Sequence, residues 1–155
     1  MKTAFVTGGS RGIGSAIALA LGKTFHVVVG FANSEDKAND VVKEIVAAGG
    51  SASTVQIDIS NAESVDNAFT TIEKEYNSVD VLINNAGVAI FNPIEDVTSY
   101  LWREVMATNL DSIFFLTQSL TPMLKKTRGT VVNIASISGL RASTYGSHME
   151  PQRLL

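Results

Sequence analysis

The sequence contains no cysteine and only 3 prolines among its 155 residues. The absence of cysteine excludes disulfide bonds and thiolate metal sites, and no other cluster of metal-ligand residues is visible in the sequence, so we expect no bound metal. No stretch approaches the roughly 18 apolar residues that a membrane-spanning helix needs. The N-terminus also lacks the apolar segment of a signal peptide. We therefore expect a cytoplasmic protein that has no membrane partner.

A strong excess of charge of one sign is also lacking. The 12 basic and 15 acidic side chains give a net charge of −3 at pH 7 and are scattered along the chain. Because no basic block is present, nucleic acid is not an expected partner. Hydrophobic residues make up 45% and charged residues 17% of the chain, which is ordinary for a globular protein. Without linkers or repeats, a chain of this length predicts one domain with its own core.

Two hydrophobic periodicities alternate along the chain. Apolar runs typical of buried parallel strands occur at 4–6, 27–29, 54–57, 81–83 and 131–134. Apolar residues spaced three or four apart, as in helices, occur at 13–21, 38–46, 65–72 and 99–126. Ser60 and Glu63 match a capping box at the start of the third helix. The alternation predicts an α/β fold of the Rossmann type, with five strands in a doubly wound parallel sheet, three α/β/α layers, and a ligand crevice at the carboxyl ends of the strands.

A glycine-rich turn at residues 7–14 joins the first predicted strand to the first predicted helix. Gly8 permits a sharp turn, Gly12 a close backbone approach to a phosphate, and Gly14 tight packing of the helix on the strand. The free N–H groups and the positive dipole end of the helix would then face an anion. A glycine-rich turn without a ligand is the alternative. The position between strand and helix favours a pyrophosphate site, formed by Gly8, Ser10, Arg11, Gly12, Ile13 and Gly14.

The spacing of these glycines, Gly-x-x-x-Gly-x-Gly, resembles that of the short-chain dehydrogenase/reductase family. Residues 84–87, Asn-Asn-Ala-Gly, follow the fourth predicted strand and look like a signature of the same family. Asn109 matches its helix asparagine, and residues 129–136 resemble its strand-five motif, which ends in a catalytic serine. The resemblance covers residue 2 to about residue 147. Among the members of the family, the chain looks most like the 3-oxoacyl-acyl carrier protein reductases.

The resemblance implies an NAD(P)-dependent oxidoreductase that transfers hydride between NADPH and a small-molecule carbonyl or alcohol substrate, with a 3-oxoacyl compound as one candidate. It implies that Ser136 holds the substrate oxygen and that Asn109 belongs to the catalytic set. It also implies that Asp58 contacts the adenine amino group and that Ile59 lines the adenine pocket. Further cofactor-binding positions implied by the resemblance are Asn85, Ala86 and Gly87. Relatives assemble through the long helix, so residues 99–126 are the expected surface of a homo-oligomer.

The choice between NADP and NAD depends on the residues after the second predicted strand. An acidic residue there would bind the ribose hydroxyl of NAD and repel the phosphate of NADP. The chain has no acid at residues 30–34, and Arg11 is available to meet a phosphate. We therefore expect NADP, with NAD as the alternative. Asn33 stands where many relatives carry a second basic residue, which weakens this preference.

The family also uses a tyrosine thirteen residues after the serine and a lysine four residues later. Here those positions, counted from Ser136, hold Met149 and Arg153. Tyr145 is nearby but is more simply a loop residue, and residues 148–155 match no family pattern. We expect a family domain at 1–147, truncated at its C-terminus, followed by a tail at 148–155 that is foreign to the family. We therefore expect an oxidoreductase whose catalysis is impaired in this chain, with a catalytically inactive dinucleotide-binding module and a truncated remnant as the alternatives.

Overall fold

The apolar runs of the sequence form the strands of one parallel sheet. The structure, a computed structural model, describes residues 1–137. Within this range the strands lie in the order β3-β2-β1-β4-β5. Their bounds are β1 Thr3–Val6, β2 His26–Phe31, β3 Ser51–Gln56, β4 Val81–Asn84 and β5 Thr130–Asn133. All residues of β1 are buried because strands cover both its edges and helices cover both its faces.

Helices cover both faces of this sheet. Their bounds are α1 Gly12–Leu21, α2 Glu35–Ala47, α3 Ala62–Glu75, α4 Ser99–Met106 and α5 Ser112–Thr127. Successive side chains of a strand point to opposite faces, so Phe5 packs in the core shared with α3 and α5, whereas Val6 packs in the core shared with α1 and α2. The three-layer, doubly wound arrangement predicted from the sequence is confirmed.

The third strand differs from its prediction. It begins at Ser51, three residues before the predicted apolar run at 54–57. The additional residues are small or polar, and their register pairs Ser51 with His26 of β2. Pairing with a buried neighbouring strand therefore extends β3 beyond the part that its own hydrophobicity marks.

The start of α3 also differs from the prediction. The capping box of Ser60 and Glu63 is wrong, because the cap residue is Asn61, whose side-chain oxygen accepts a hydrogen bond from the Ser64 N–H at 2.9 Å. The Ser60 hydroxyl donates instead to the carboxylate of Asp58 at 2.6 Å. A competing polar partner in the preceding turn thus moves the cap by one residue.

The long helix predicted at 99–126 is a continuous helical stretch with an irregular centre. A π-helical turn, Ala107–Asp111, joins α4 to α5. Such turns insert one extra residue into the helix and are often found at functional sites. This one contains Asn109, and a short 3₁₀ turn, Ile94–Asp96, precedes α4.

Some of the sequence predictions fall on residues 138–155. The proposed boundary at residue 147, the tail 148–155 and Tyr145 lie outside the described residues. Among residues 1–137, no helix is both long enough and apolar enough to cross a membrane.

A cluster of hydrogen-bonded polar side chains lies at the amino end of the sheet. The glycine-rich turn and residues 84–87 lie at the opposite, carboxyl end. His26 Nδ1 is hydrogen bonded to the Ser51 hydroxyl at 2.7 Å, and His26 Nε2 lies 2.9 Å from the hydroxyl of Tyr76. The Ser53 hydroxyl completes the cluster, 2.7 Å from that of Tyr76. His26, the first residue of β2, thus has a structural role. Burial lowers the pKa of His26, and the nearby Glu75 carboxylate raises it by a smaller amount.

This cluster predicts a loss of stability in mild acid. Because the folded state holds His26 at a lowered pKa, the unfolded chain binds a proton first, and stability falls as the pH drops below about 6.5. We expect the free energy of unfolding to decline between about pH 7.5 and 5.5, and to decline less steeply in His26→Gln. Urea denaturation at several pH values measures this. Tyr76→Phe is the control: it keeps the histidine and the decline, and loses about 1 kcal/mol. Equal slopes for parent and His26→Gln would refute the role of His26.

Candidate functional site

Two neighbouring cavities lie at the carboxyl ends of the strands. The larger has a volume of about 470 Å³ and the smaller about 230 Å³. Residues that line both are Asn85, Ala86, Gly87 and Val88, directly after β4. The two cavities therefore form one groove across the edge of the sheet, which we call the nucleotide groove. Among the residues that line its larger part are Gly8, Ser10, Arg11, Asn33, Asp58 and Ile59.

The glycine-rich turn forms the floor of this groove. Gly8 and Gly12 have positive φ angles of 61° and 58°, which residues other than glycine rarely adopt. A Cβ atom on Gly14 would collide with the carbonyl oxygen of Gly8, so the turn closes only with glycine there. A Cβ on Gly12 would meet no atom within 4 Å. The turn therefore leaves open space beside Gly12 while it packs tightly at Gly14.

The N-terminus of α1 opens towards this space. Within residues 1–137, no side chain caps it, and its first turn contains no acidic residue. The backbone of the cap residue Arg11 is extended, and Ile13 lines the smaller cavity. Uncapped N–H groups and the positive end of the helix dipole favour an anion at such a position. The donor set of the turn thus fits a pyrophosphate.

Thr7 and Asn85 join the glycine-rich turn to the end of β4. The Thr7 hydroxyl accepts hydrogen bonds from the N–H groups of Asn85 and Ala86 at 3.0 and 3.1 Å. The Asn85 amide donates in return to the carbonyl oxygens of Thr7 and Gly8 at 2.9 and 3.2 Å. These bonds fix the separation between the two sides of the groove. Thr7 received no role in the sequence analysis, although it directly precedes the first glycine.

A pair of asparagines joins β4 to β5. The buried Asn84 side chain donates to Asn133 at 2.9 Å and to the hydroxyl of Thr117 at 3.3 Å. Asn133 also lines the smaller cavity. A buried amide without partners would be costly, so this pairing stabilises the wall of the groove on the β5 side.

Asn109 binds the loop that follows β4. Its side-chain oxygen accepts from the Val88 N–H at 2.8 Å, and its amide donates to the Val88 carbonyl oxygen at 2.9 Å. Asn109 itself lines the smaller cavity. The π-helical turn thus presents this side chain to the backbone of a loop that forms the groove.

Asp58 is partly engaged by its own turn. One carboxylate oxygen accepts from the N–H and from the hydroxyl of Ser60, at 3.0 and 2.6 Å. Asp58 and Ile59 line the larger cavity from the end of β3, and Asn33 lines it from the end of β2. The structure therefore brings these three sequence-predicted residues into the same cavity as Arg11.

Ser136 lies beside the smaller cavity, not among the residues that line it. It is half-buried and directly follows Ala135, which does line the cavity. The structure therefore brings Asn109 into the groove and leaves Ser136 at its margin. Glu104 and Thr108 also line the larger cavity and were missed. Residues four apart lie on the same side of a helix, so the spacing of Glu104 and Thr108 could have indicated that they face the same cavity.

Comparisons with known proteins agree with this geometry. The family model described as short chain dehydrogenase matches residues 2–148. A 3-oxoacyl-[acyl-carrier-protein] reductase FabG of Staphylococcus epidermidis is 39% identical over 140 residues, which are 89% of this chain and 57% of the relative. The 3-oxoacyl-[acyl-carrier-protein] reductase of Synechocystis sp. is 40% identical over 141 residues, 90% of this chain and 57% of the relative. The chain thus spans little more than half of these curated relatives.

Solved structures show the same likeness. The crystal structure of a metagenomic short-chain oxidoreductase in complex with NADP has a TM-score of 0.91 at 33% sequence identity. The superposition covers 98% of this chain and 70% of the chain of that protein. The match of the family model over nearly the whole chain, together with the shared fold, establishes that this chain belongs to the short-chain dehydrogenase family.

Proposed function

We propose that this chain binds NAD(P), with a preference for NADP, and that it forms the cofactor-binding part of a carbonyl reductase. The observation that carries the proposal is the glycine-rich turn, whose uncapped α1 N-terminus opens onto the nucleotide groove. The groove has room along the sheet edge for an extended ligand, with the diphosphate near Gly12. When bound, the nicotinamide of NADPH supplies hydride to a carbonyl carbon.

The preference for NADP rests on the residues of the larger cavity. Arg11 is its one cationic lining residue within the described part of the chain, and Asn33 and Ser34 line it without contributing an acid. A ribose phosphate gains more from a guanidinium group than a ribose hydroxyl does. The NADP in the related metagenomic structure agrees with this choice.

The proposed cofactor contacts follow the groove. Backbone N–H groups from Gly8 to Gly14 hold the diphosphate, with Ser10 and Ile13 beside it. Asp58 and Ile59 bind the adenine, and residues 85–87 support the ribose next to the nicotinamide. Each of these residues lines the groove or belongs to the glycine-rich turn.

The proposed substrate is a small carbonyl or alcohol compound, and a 3-oxoacyl thioester is the candidate that the two reductase relatives favour. Ser136 would donate its hydroxyl to the substrate oxygen, and Asn109 would hold the loop at Val88 that borders the same space. We also propose a homo-oligomer through the long helical stretch, where Phe114 and Phe115 are more than half exposed.

A second candidate function is cofactor binding without efficient catalysis. It is favoured by Met149 and Arg153, which occupy the positions of the family tyrosine and lysine. In this form the chain would respond to NADPH as a binding module. The two functions share the nucleotide groove and differ only in turnover.

The diphosphate site is tested by Gly12→Asp. The new carboxylate would stand in the open space beside the helix N-terminus and repel the diphosphate, so we expect NADPH affinity to fall by at least about tenfold. Titration calorimetry measures the affinity. Gly49→Asp is the matched control, because Gly49 also has a positive φ and open space but lies at the end of α2. Equal affinities for NADPH in the parent and Gly12→Asp would refute the site.

The nucleotide preference is tested by Arg11→Ala. Loss of the guanidinium group should weaken NADPH binding by about tenfold, as expected for a charge-assisted hydrogen bond, and should change NADH binding little. Both affinities are measured by titration, and NADH serves as the internal control. A parent chain that binds NADPH and NADH equally well would contradict the preference.

The second candidate function predicts that the 155-residue chain binds NADPH but reduces substrate slowly. Loss of a positioned acid–base group lowers a rate by about 10²–10⁴-fold. We expect a deficit of that order in NADPH oxidation with a 3-oxoacyl thioester, with the reductase of Staphylococcus epidermidis assayed alongside. Rapid oxidation by this chain would favour the reductase and exclude the pure binding module.

A further inference from the structure

The charges that line the larger cavity are separated by the topology of the sheet. Arg11 directly precedes α1, and Asn33 and Ser34 precede α2, so these residues enter from the α1–α2 face. Asp58 precedes α3, and Glu104 lies in α4, which continues into α5 on the opposite face. The cavity therefore has a cationic side and an anionic side.

Glu104 is directed to this cavity by its position in the helix. It lies one helical turn before Thr108, and both residues line the cavity. Within residues 1–137, the Glu104 side chain takes part in no ion pair or hydrogen bond. Its carboxylate is thus available to a ligand on the anionic side.

Asp58 offers a second acceptor on the same side. One of its oxygens is taken by Ser60, at 2.6 Å from the hydroxyl, which leaves the other oxygen for a ligand. Two ionised carboxylates accept hydrogen bonds and donate none. They favour a ligand group that carries two N–H donors and disfavour one that presents an oxygen acceptor.

We propose that Glu104 is a second acceptor for the exocyclic amino group of adenine, beside Asp58, and so determines the base specificity of the nucleotide groove. This inference rests on the proposed function. An amino group has two hydrogens, so each carboxylate can accept one. Hypoxanthine and guanine carry a carbonyl oxygen at the same ring position, and both carboxylates would repel it.

The test compares NADPH with reduced nicotinamide hypoxanthine dinucleotide phosphate, in which a carbonyl oxygen replaces the amino group. The parent chain should bind NADPH more tightly. Glu104→Gln retains the shape of the side chain but can also donate to a carbonyl oxygen. We expect it to lower the ratio of the two affinities by about tenfold, the effect of one hydrogen bond to a charged group. Titration calorimetry of the full chain measures both affinities without any need for turnover.

Two further variants separate the possible outcomes. Glu44→Gln, on the exposed side of α2, is the matched control and should keep the parent ratio. Glu104→Leu should weaken NADPH binding without weakening that of the hypoxanthine nucleotide. An unchanged ratio in Glu104→Gln, or equal weakening of both nucleotides, would overturn the role of Glu104 while NADPH binding by the parent still supports the proposed function. A parent that binds neither nucleotide overturns both.

Discussion

The hydroxyl group of Thr7 holds together the two strand ends on which the groove depends. It accepts from the N–H groups of Asn85 and Ala86 and donates to the carbonyl oxygen of Ile83 at 3.2 Å. Thr7 is the first residue of the glycine-rich turn that leads into α1, so the position of α1 relative to β4 is fixed by these bonds. Polar groups at this depth need partners, and the turn and the end of β4 satisfy one another.

This junction explains why the groove is continuous. The residues after β4 line both cavities, and they are held from one side by Thr7 and from the other by Asn109. Thr7 and Asn109 both form hydrogen bonds with backbone groups of the loop that follows β4. A ligand that spans the groove would therefore contact a wall that is already ordered, which reduces the entropy lost on binding.

Because the helices are divided between the two faces of the sheet, the groove has a cationic side and an anionic side. Each loop at the carboxyl edge leads to the helix that follows its strand, so residues of different loops enter the groove from different faces. Arg11 arrives with α1, whereas Asp58 arrives with α3. Glu104 reaches the same cavity from α4, far along the chain from either. A sequence read locally cannot reveal that these three side chains share one cavity.

The sequence by itself determined the alternation of strands and helices and the glycine-rich turn. These features depend on local periodicity, as at Ala4 to Val6, or on a backbone conformation that glycine alone adopts readily, as at Gly8 and Gly12. They sufficed to predict the fold and the side of the groove that the glycine-rich turn forms.

Only the tertiary structure decided where β3 begins, which residue caps α3 and how the long helical stretch is interrupted. In each case a partner distant in the chain, or a competing polar group, outweighed the local preference: His26 for Ser51, Asp58 for Ser60, and Val88 for Asn109. The grouping of Arg11 with Glu104 likewise came from the sheet topology. The hydrogen bonds of Ser51 and Asn109 join residues that are more than twenty positions apart, so no short window of sequence encodes them, whereas the cap of α3 was decided by a local competition that required the folded turn.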